Sequence, residues 1–254
     1  MRLPSVSQIE GATLSAWPAL RIVHDGLWLW RYGRGYTKRA NSIHCLDPSD
    51  GADAELRLNR LVALSEQFGI VPTFRVTPLT APQIVFVLDG LQWDEFDQSL
   101  VLARPIPDED FPLEAQVKYF DPADPDWYRA QAQMAGYDQE TVKTLREILD
   151  LIACPAQGVL VYHKAGVPVA AALSVVAGGI AVFLNVVTYP NARGMGYGRI
   201  AMSAAINSVR AAGAQYCTLQ VLAGNDPALA LYTSLGFGEA YRYAYRRPGD
   251  WSSQ

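Results

Sequence analysis

Between Val186 and Ile206 the chain reads VVTYPNARGMGYGRIAMSAAI. An apolar strand runs into a glycine-rich turn and then into a helix with small residues on one face. Glycines at 194, 196 and 198 remove the side chains that would keep a ligand from the backbone. The first N–H groups of the helix have no intrahelical partner and sit at the positive end of its dipole. Such a turn is an anion cradle. Two phosphate-binding motifs compete for it. A dinucleotide fingerprint needs Gly-x-Gly-x-x-Gly in a parallel context, and a P-loop needs Gly-Lys-Ser/Thr at its end. The pattern here is Arg193-x-x-Gly196-x-Gly198, it ends in Arg199, and neither motif is met.

What precedes the turn also argues against both. Gly158–His163, Val167–Val176 and Ile180–Thr188 read as strands joined by Lys164-Ala165-Gly166 and Ala177-Gly178-Gly179. Links this short predict an antiparallel meander. No charge lies between Lys164 and Arg193, but Pro168, the Gly178-Gly179 pair and Asn185 break the run, so a buried hairpin fits better than a membrane span. Upstream, a helix near Trp127 ends at Gly136, and a second runs from Asp138 to Ile152. Downstream, Ala201, Ala205, Val209 and Ala212 form a stripe suited to close packing. A strand at Tyr216–Val221 must then lie parallel to, or cross over from, the strand before the turn. A helix at Asn225–Leu235 and a strand at Glu239–Arg246 complete the pattern.

The first hundred residues look like a shortened copy. Leu27–Tyr32 and Tyr36–Cys45 read as a hairpin, and a helix starts at Ala52 and ends at Gly69. A strand at Pro72–Thr77, a helix at Ala81–Gly90 and a strand at Ser99–Ala103 follow. FRVTPLTAPQIVFVLDGLQW parallels LQVLAGNDPALALYTSLGF, and each is followed by a strand and Arg-Pro. Where the second copy has ARGMGYG the first has LDPSDGADA, and where the second has Tyr232 the first has Val87 or Leu88. The Pro-rich stretch near Arg104–Pro112 reads as a linker, placing domains at 1–107 and 111–248.

Composition excludes some partners. Net charge is −4, against a nucleic-acid binder. Arg31, Arg34, Lys38 and Arg39 interleave with Tyr32 and Tyr36 like a single-strand platform, but the acidic balance favours a solvated hairpin face. Cys45, Cys154 and Cys217 show no paired spacing, and His24 and His44 have no second ligand nearby in the sequence. Neither a disulfide framework nor a metal is expected, the reading is cytoplasmic, and no signal peptide is expected.

The Arg-x-x-Gly-x-Gly turn together with NDPALALYTSLGF resembles the GCN5-related N-acetyltransferase (GNAT) family, in a tandem subgroup with a degenerate N-terminal half-domain. The resemblance implies an α/β (α+β) fold: a mixed, mainly antiparallel sheet flanked by helices, preceded by a smaller GNAT-like half-domain. It implies acetyl-CoA as co-substrate. Backbone groups of Val186, Val187 and Thr188 would pair with the pantetheine arm. Arg193 and the turn Gly194, Met195, Gly196, Tyr197, Gly198 and Arg199 would hold the pyrophosphate. Asn225 would bond the pantetheine or order its helix, and Tyr232 would give a proton to the departing sulfur. Many relatives carry a Glu where this chain has Gln220, which is no base, so the base is unassigned, with water or Glu239 open. The implied reaction is direct attack by a primary amine of a small molecule or peptide, in a monomer with an internal pseudo-dimer. The rival reading is a non-catalytic acyl-CoA sensor.

Overall fold

The structure is a computed structural model and describes residues 3–113 and 115–249. By contacts the chain forms two units, one comprising residues up to Trp17 and Val101–Ala240, the other Pro18–Leu100 and residues from Tyr241 onward.

The first unit contains strands β6 (Gln116–Phe120), β7 (Ala156–Tyr162), β8 (Pro168–Ala177), β9 (Ile180–Thr188) and β10 (Tyr216–Leu222), lying side by side in that order. The first four form an antiparallel meander, as the short links require, and β10 is parallel to β9. Every residue of β8 from Val169 to Ala177 is buried, so both faces of the sheet are covered at its centre. Helix α6 (Tyr197–Ala211) packs on β7, β8 and β9 with Ala201, Ala204 and Ala205 fully buried. Small side chains let this helix approach closely. Helix α4 (Pro125–Ala135) packs on the same three strands, and α5 (Gln139–Asp150) packs on α4. Trp127 of α4 lies flat against Gly158 of β7 and donates from Nε1 to Val159 O at 3.1 Å. Helix α7 (Asp226–Ser234) follows β10.

Helix α1 (Val6–Ala16) also belongs to this unit and packs on β8 and β9. The pattern reading misses it, although its start signal is in the sequence. Ser5 Oγ accepts from Gln8 N and Gln8 Oε1 accepts from Ser5 N, a reciprocal capping box. Strand β6 is missed as well; its exposed and half-buried edge carries no strong apolar alternation.

The second unit holds β1 (Arg21–Asp25), β2 (Trp28–Tyr32), β3 (Ile43–Cys45), β4 (Phe74–Val76) and, beside β4, most of β11 (Gly238–Pro248). Helices α2 (Ala54–Gln67) and α3 (Pro82–Gly90) share one core with Trp28, Trp30, Ile43 and Phe74 through Leu58, Leu61, Ile84 and Leu88. The chain passes from this unit to the first within β5 (Trp93–Pro105).

The antiparallel pairing expected between Leu27–Tyr32 and Tyr36–Cys45 holds at its far end, Trp28 opposite Cys45 and Trp30 opposite Ile43, but its extent is corrected: only Ile43–Cys45 remains of the second strand, and β2 also pairs with β1 across a turn where Gly26 has φ +62°. Residues Tyr36–Asn41 cannot be strand because Asn41 ties them into a loop. Its Oδ1 accepts from Gly33 N and Gly35 N, and its Nδ2 donates to Tyr36 O and Thr37 O. The charged-face reading also fails for Arg31, which is buried and donates from Nη1 to Arg39 O.

A Cβ on Gly158 would stand 2.6 Å from the Trp127 ring. Gly158→Ala is therefore expected to lower stability by about 1–3 kcal/mol, read from urea unfolding.

Candidate active site

Strand β9 carries the irregularity from which the site is built. On β8, Leu173 faces Leu184 and Ala171 faces Val187, so β9 contains one extra residue in this interval. Asn185 sits in it with φ +49°, left-handed backbone that asparagine tolerates better than most residues. The parallel register with β10 runs from Ile180 opposite Tyr216 to Phe183 opposite Leu219. Both strands continue, but their recorded pairing stops there. β9 beyond Leu184 turns its edge to a cleft rather than to a neighbouring strand.

That cleft is a cavity of about 550 Å³. Val186, Val187 and Thr188 form one wall, and Asn225 and Tyr232 line the other. Arg193, Gly194, Gly196, Tyr197, Gly198 and Arg199 close one end. The structure thus brings together every residue the sequence singled out for the site except Met195, which is 65% exposed. It adds Ala192, Pro227, Ala228 and Leu231 to the lining. Leu231 was legible as the residue before Tyr232 on a helix whose start Asn225 marks; Ala192 carried no signal.

The glycines of the turn have different reasons to be glycine. Gly194 and Gly196 have φ of +76° and +83°, and nothing lies within 4 Å of where their Cβ atoms would be. Backbone conformation demands them. Gly198 has ordinary φ, but a Cβ there would meet Thr188 Oγ1 at 3.1 Å. Close approach of α6 to the end of β9 demands that one. Gly196 occupies the N-cap of α6 with no side-chain cap and no acid in the first turn. The first helical hydrogen bond runs from Ile200 N to Gly196 O. The N–H groups of Tyr197, Gly198 and Arg199 therefore precede the ladder. Arg193 reaches back through Nε to Thr188 O at 3.4 Å, and Arg199 donates from Nη2 to Ser234 Oγ. Uncapped donors, a helix dipole and two guanidinium groups make this end of the cleft fit for a pyrophosphate.

Asn225 is the N-cap of α7, its Oδ1 accepting from Ala228 N at 3.3 Å, so it orders the helix that carries Tyr232. The Tyr232 ring is 7% exposed and stands edge-on to Phe237 at 6.1 Å, which in turn meets Phe183 at 6.3 Å. Burial pushes its phenol up to about 12. Cys217, on β10, is fully buried and burial pushes its thiol up to about 12, which leaves it a core side chain rather than a nucleophile. Gln220 Nε2 lies 3.4 Å from Thr13 Oγ1 on α1, a contact between distant parts of the chain that no sequence pattern announces.

The second unit has the same strand–helix–strand arrangement, with β3 parallel to β4 around α2. Its turn has different chemistry. Asp50 accepts from Leu27 N and from Arg57 Nη1 and Nη2, and the Arg57 guanidinium holds the Asp50 carboxyl below its usual range. Glu55 occupies the first turn of α2. Carboxylates thus stand where the first unit has glycines and arginines.

Among the described residues no group of three or more His, Cys, Asp or Glu could hold a metal ion, and no helix is long and apolar enough to cross a membrane.

Known proteins bear on this arrangement. A family model described as "Probable histone acetyltransferase Rv0428c C-terminal" matches residues 5–246. The Bacillus subtilis (strain 168) protein "Uncharacterized N-acetyltransferase YobR" is 23% identical over 249 residues, covering 96% of this chain and 99% of that one. A GCN5-related N-acetyltransferase from Kribbella flavida superposes with a TM-score of 0.74 at 19% identity, covering 98% of this chain and 97% of that one. A tandem GNAT protein from the clavulanic acid biosynthesis pathway superposes with a TM-score of 0.63 at 14% identity, covering 78% and 70%. The chain has the fold of the GCN5-related N-acetyltransferases and belongs to the acetyltransferase family of the Rv0428c C-terminal region.

Proposed function

We propose that the protein transfers the acetyl group of acetyl-CoA to a primary amine by direct attack in a ternary complex. The observation that carries this reading is the single cleft in which an open β9 edge, an uncapped glycine turn and a buried tyrosine converge. Each part answers one part of the donor. The β9 edge from Val186 to Thr188 offers main-chain groups to the amides of a pantetheine arm, in the manner of an added strand. The turn from Arg193 to Arg199 offers N–H groups and cationic side chains to a pyrophosphate. Tyr232 faces the end of the arm where the thioester would lie.

The chain's own part in the chemistry follows from these positions. Main-chain N–H groups at the β9 bulge polarise the thioester carbonyl and hold the charge that develops on its oxygen. The Tyr232 hydroxyl donates to the departing sulfur. With its phenol held near 12 it keeps its proton throughout the working range. A free thiol titrates near 8.5, so complete transfer from Tyr232 to a free thiolate would be uphill by roughly 3–4 units. The hydroxyl therefore acts by donating a hydrogen bond as the C–S bond lengthens, with a proton arriving at its oxygen as one leaves it.

In this reading residues 111–248 form the catalytic domain, to which α1 adds from the N-terminal stretch, the rest of 1–107 is a degenerate half-domain, the protein is a cytoplasmic monomer, and the acceptor is a small molecule or peptide. The acidic turn of the second unit supports one donor site per chain, since Asp50 and Glu55 would repel a pyrophosphate. A second reading, a non-catalytic acyl-CoA sensor, is favoured by one observation, the amide of Gln220 in place of a carboxylate. Release of CoA in the presence of an amine panel separates the two.

Calorimetry is expected to give one acetyl-CoA per chain. Gly196→Asp, which places both a side chain and a negative charge at a φ of +83°, is expected to abolish that binding; unchanged affinity would overturn the cradle. Tyr232→Phe is expected to keep acetyl-CoA affinity and lose about 10²-fold in kcat. Tyr232 should contribute no alkaline limb to the wild-type rate profile below about pH 11, and a limb between pH 8 and 10 that Tyr232→Phe removes would contradict the buried phenol.

A further inference from the structure

We propose that Glu10, on the N-terminal helix α1, is the carboxylate that takes the proton of the acceptor amine; the proposal rests on the acetyl-CoA reading above. α1 lies in the same unit as the cleft and packs on β8 and β9, the two strands between which the bulge forms. It carries two buried polar side chains to the sheet, Glu10 at 1% exposure and Thr13 at 4%. Thr13 Oγ1 is 3.4 Å from Nε2 of Gln220, one residue beyond the last β10 position paired with β9. Glu10 precedes Thr13 by three residues, so the two share a helix face with Cβ atoms about 5–6 Å apart. α1 thus brings a hydroxyl to the Gln220 amide, which stands where many relatives have glutamate, and carries a buried carboxylate about one turn before that hydroxyl. At the β9 bulge, the buried Asn185 Nδ2 has no hydrogen-bond partner among the described residues, a donor suited to an acceptor atom of an incoming molecule.

The proton path closes with these groups. The ammonium form of the acceptor gives one proton through the Thr13 hydroxyl, or one water, to the Glu10 carboxylate. The free amine attacks the thioester carbon, forming the C–N bond. As the C–S bond breaks, sulfur takes a proton from Tyr232, and the remaining surplus proton on nitrogen replaces it. The products are the amide and the CoA thiol, and Glu10 returns its proton to solvent. No other reactant is needed.

Glu10 acts through Thr13 and is buried, so its test needs readouts that a structural role would not move. Glu10→Gln, Glu10→Asp and the double variant Glu10→Gln/Gln220→Glu are compared with the wild type. Acetyl-CoA binding is read by calorimetry, and CoA release is read against pH with spermidine, tyramine, lysine and an alanyl peptide. Glu10→Gln is expected to bind acetyl-CoA within about twofold of wild type and to lose about 10²-fold in kcat/KM for the amine. Its acidic limb should disappear from the pH profile. Glu10→Asp is expected to recover part of the rate, and the double variant to restore both rate and limb by returning a carboxylate to the Gln220 position. Wild-type rate and an unchanged limb in Glu10→Gln would overturn the proposal. So would a loss of acetyl-CoA binding and melting temperature that the double variant does not restore, which would mark Glu10 as structural only. A wild type that binds no acetyl-CoA overturns the donor reading and this proposal with it. A wild type that binds acetyl-CoA but releases no CoA with any of the four amines favours the sensor reading, leaving the donor site standing and overturning both the transfer reading and this proposal.

Discussion

A strand can satisfy its backbone with a neighbour or leave it open to a cleft, and the extra residue in β9 is where this chain changes from one to the other. Up to Phe183 the strand is paired on both sides, with β8 and with β10. The bulge around Asn185 absorbs one residue, keeps the pairing of Val187 and Thr188 with β8, and leaves the other edge facing the cleft. The open edge holds its geometry because everything behind it is rigid. β8 is buried along almost its whole length, and α6 lies close on the sheet through alanines. Interiors packed this way do not relax into a gap, so an unpaired edge persists instead of closing.

The two units show how little of a fold separates an open helix N-terminus from a closed one. Each has a parallel strand pair bridged by a helix. The difference lies in the turn that starts the helix. In the first unit two glycines in left-handed backbone expose helix N–H groups to the cleft. In the second, Asp50 is committed to Arg57 and Leu27, which makes the turn a structural clasp. The Arg57 guanidinium also stacks on Trp28 at 4.4 Å, so the clasp ties turn, helix and hairpin together. A carboxylate used this way has no part in holding a phosphate.

Much of the first unit was legible from the chain because its signals are local. The meander follows from three-residue links, the helix starts from Asp138 and Asn225, and the turn from glycines whose positive φ only glycine adopts readily. The second unit was read less well. Tyr36–Cys45 reads as a strand, yet two hydrogen bonds accepted and two donated by the side chain of Asn41 hold its first half in a loop, and only Ile43–Cys45 is strand. Arg31 looked solvated because charge usually is, whereas the structure buries it. Residue type states a preference, and tertiary packing decided against it in both places.

The sequence by itself determined the glycine-turn end of the cleft. Spacing between Arg193, Gly196, Gly198, Asn225 and Tyr232 is short-range information, and short-range geometry follows from backbone conformation and helix period. Only the tertiary structure decided what stands opposite. That Thr13 meets Gln220, that Glu10 is buried, and that β9 parts from β10 after Phe183 depend on packing between segments far apart in the chain. No periodicity encodes such contacts, because they are set by which surfaces must leave water together, and that is fixed only when the whole core forms.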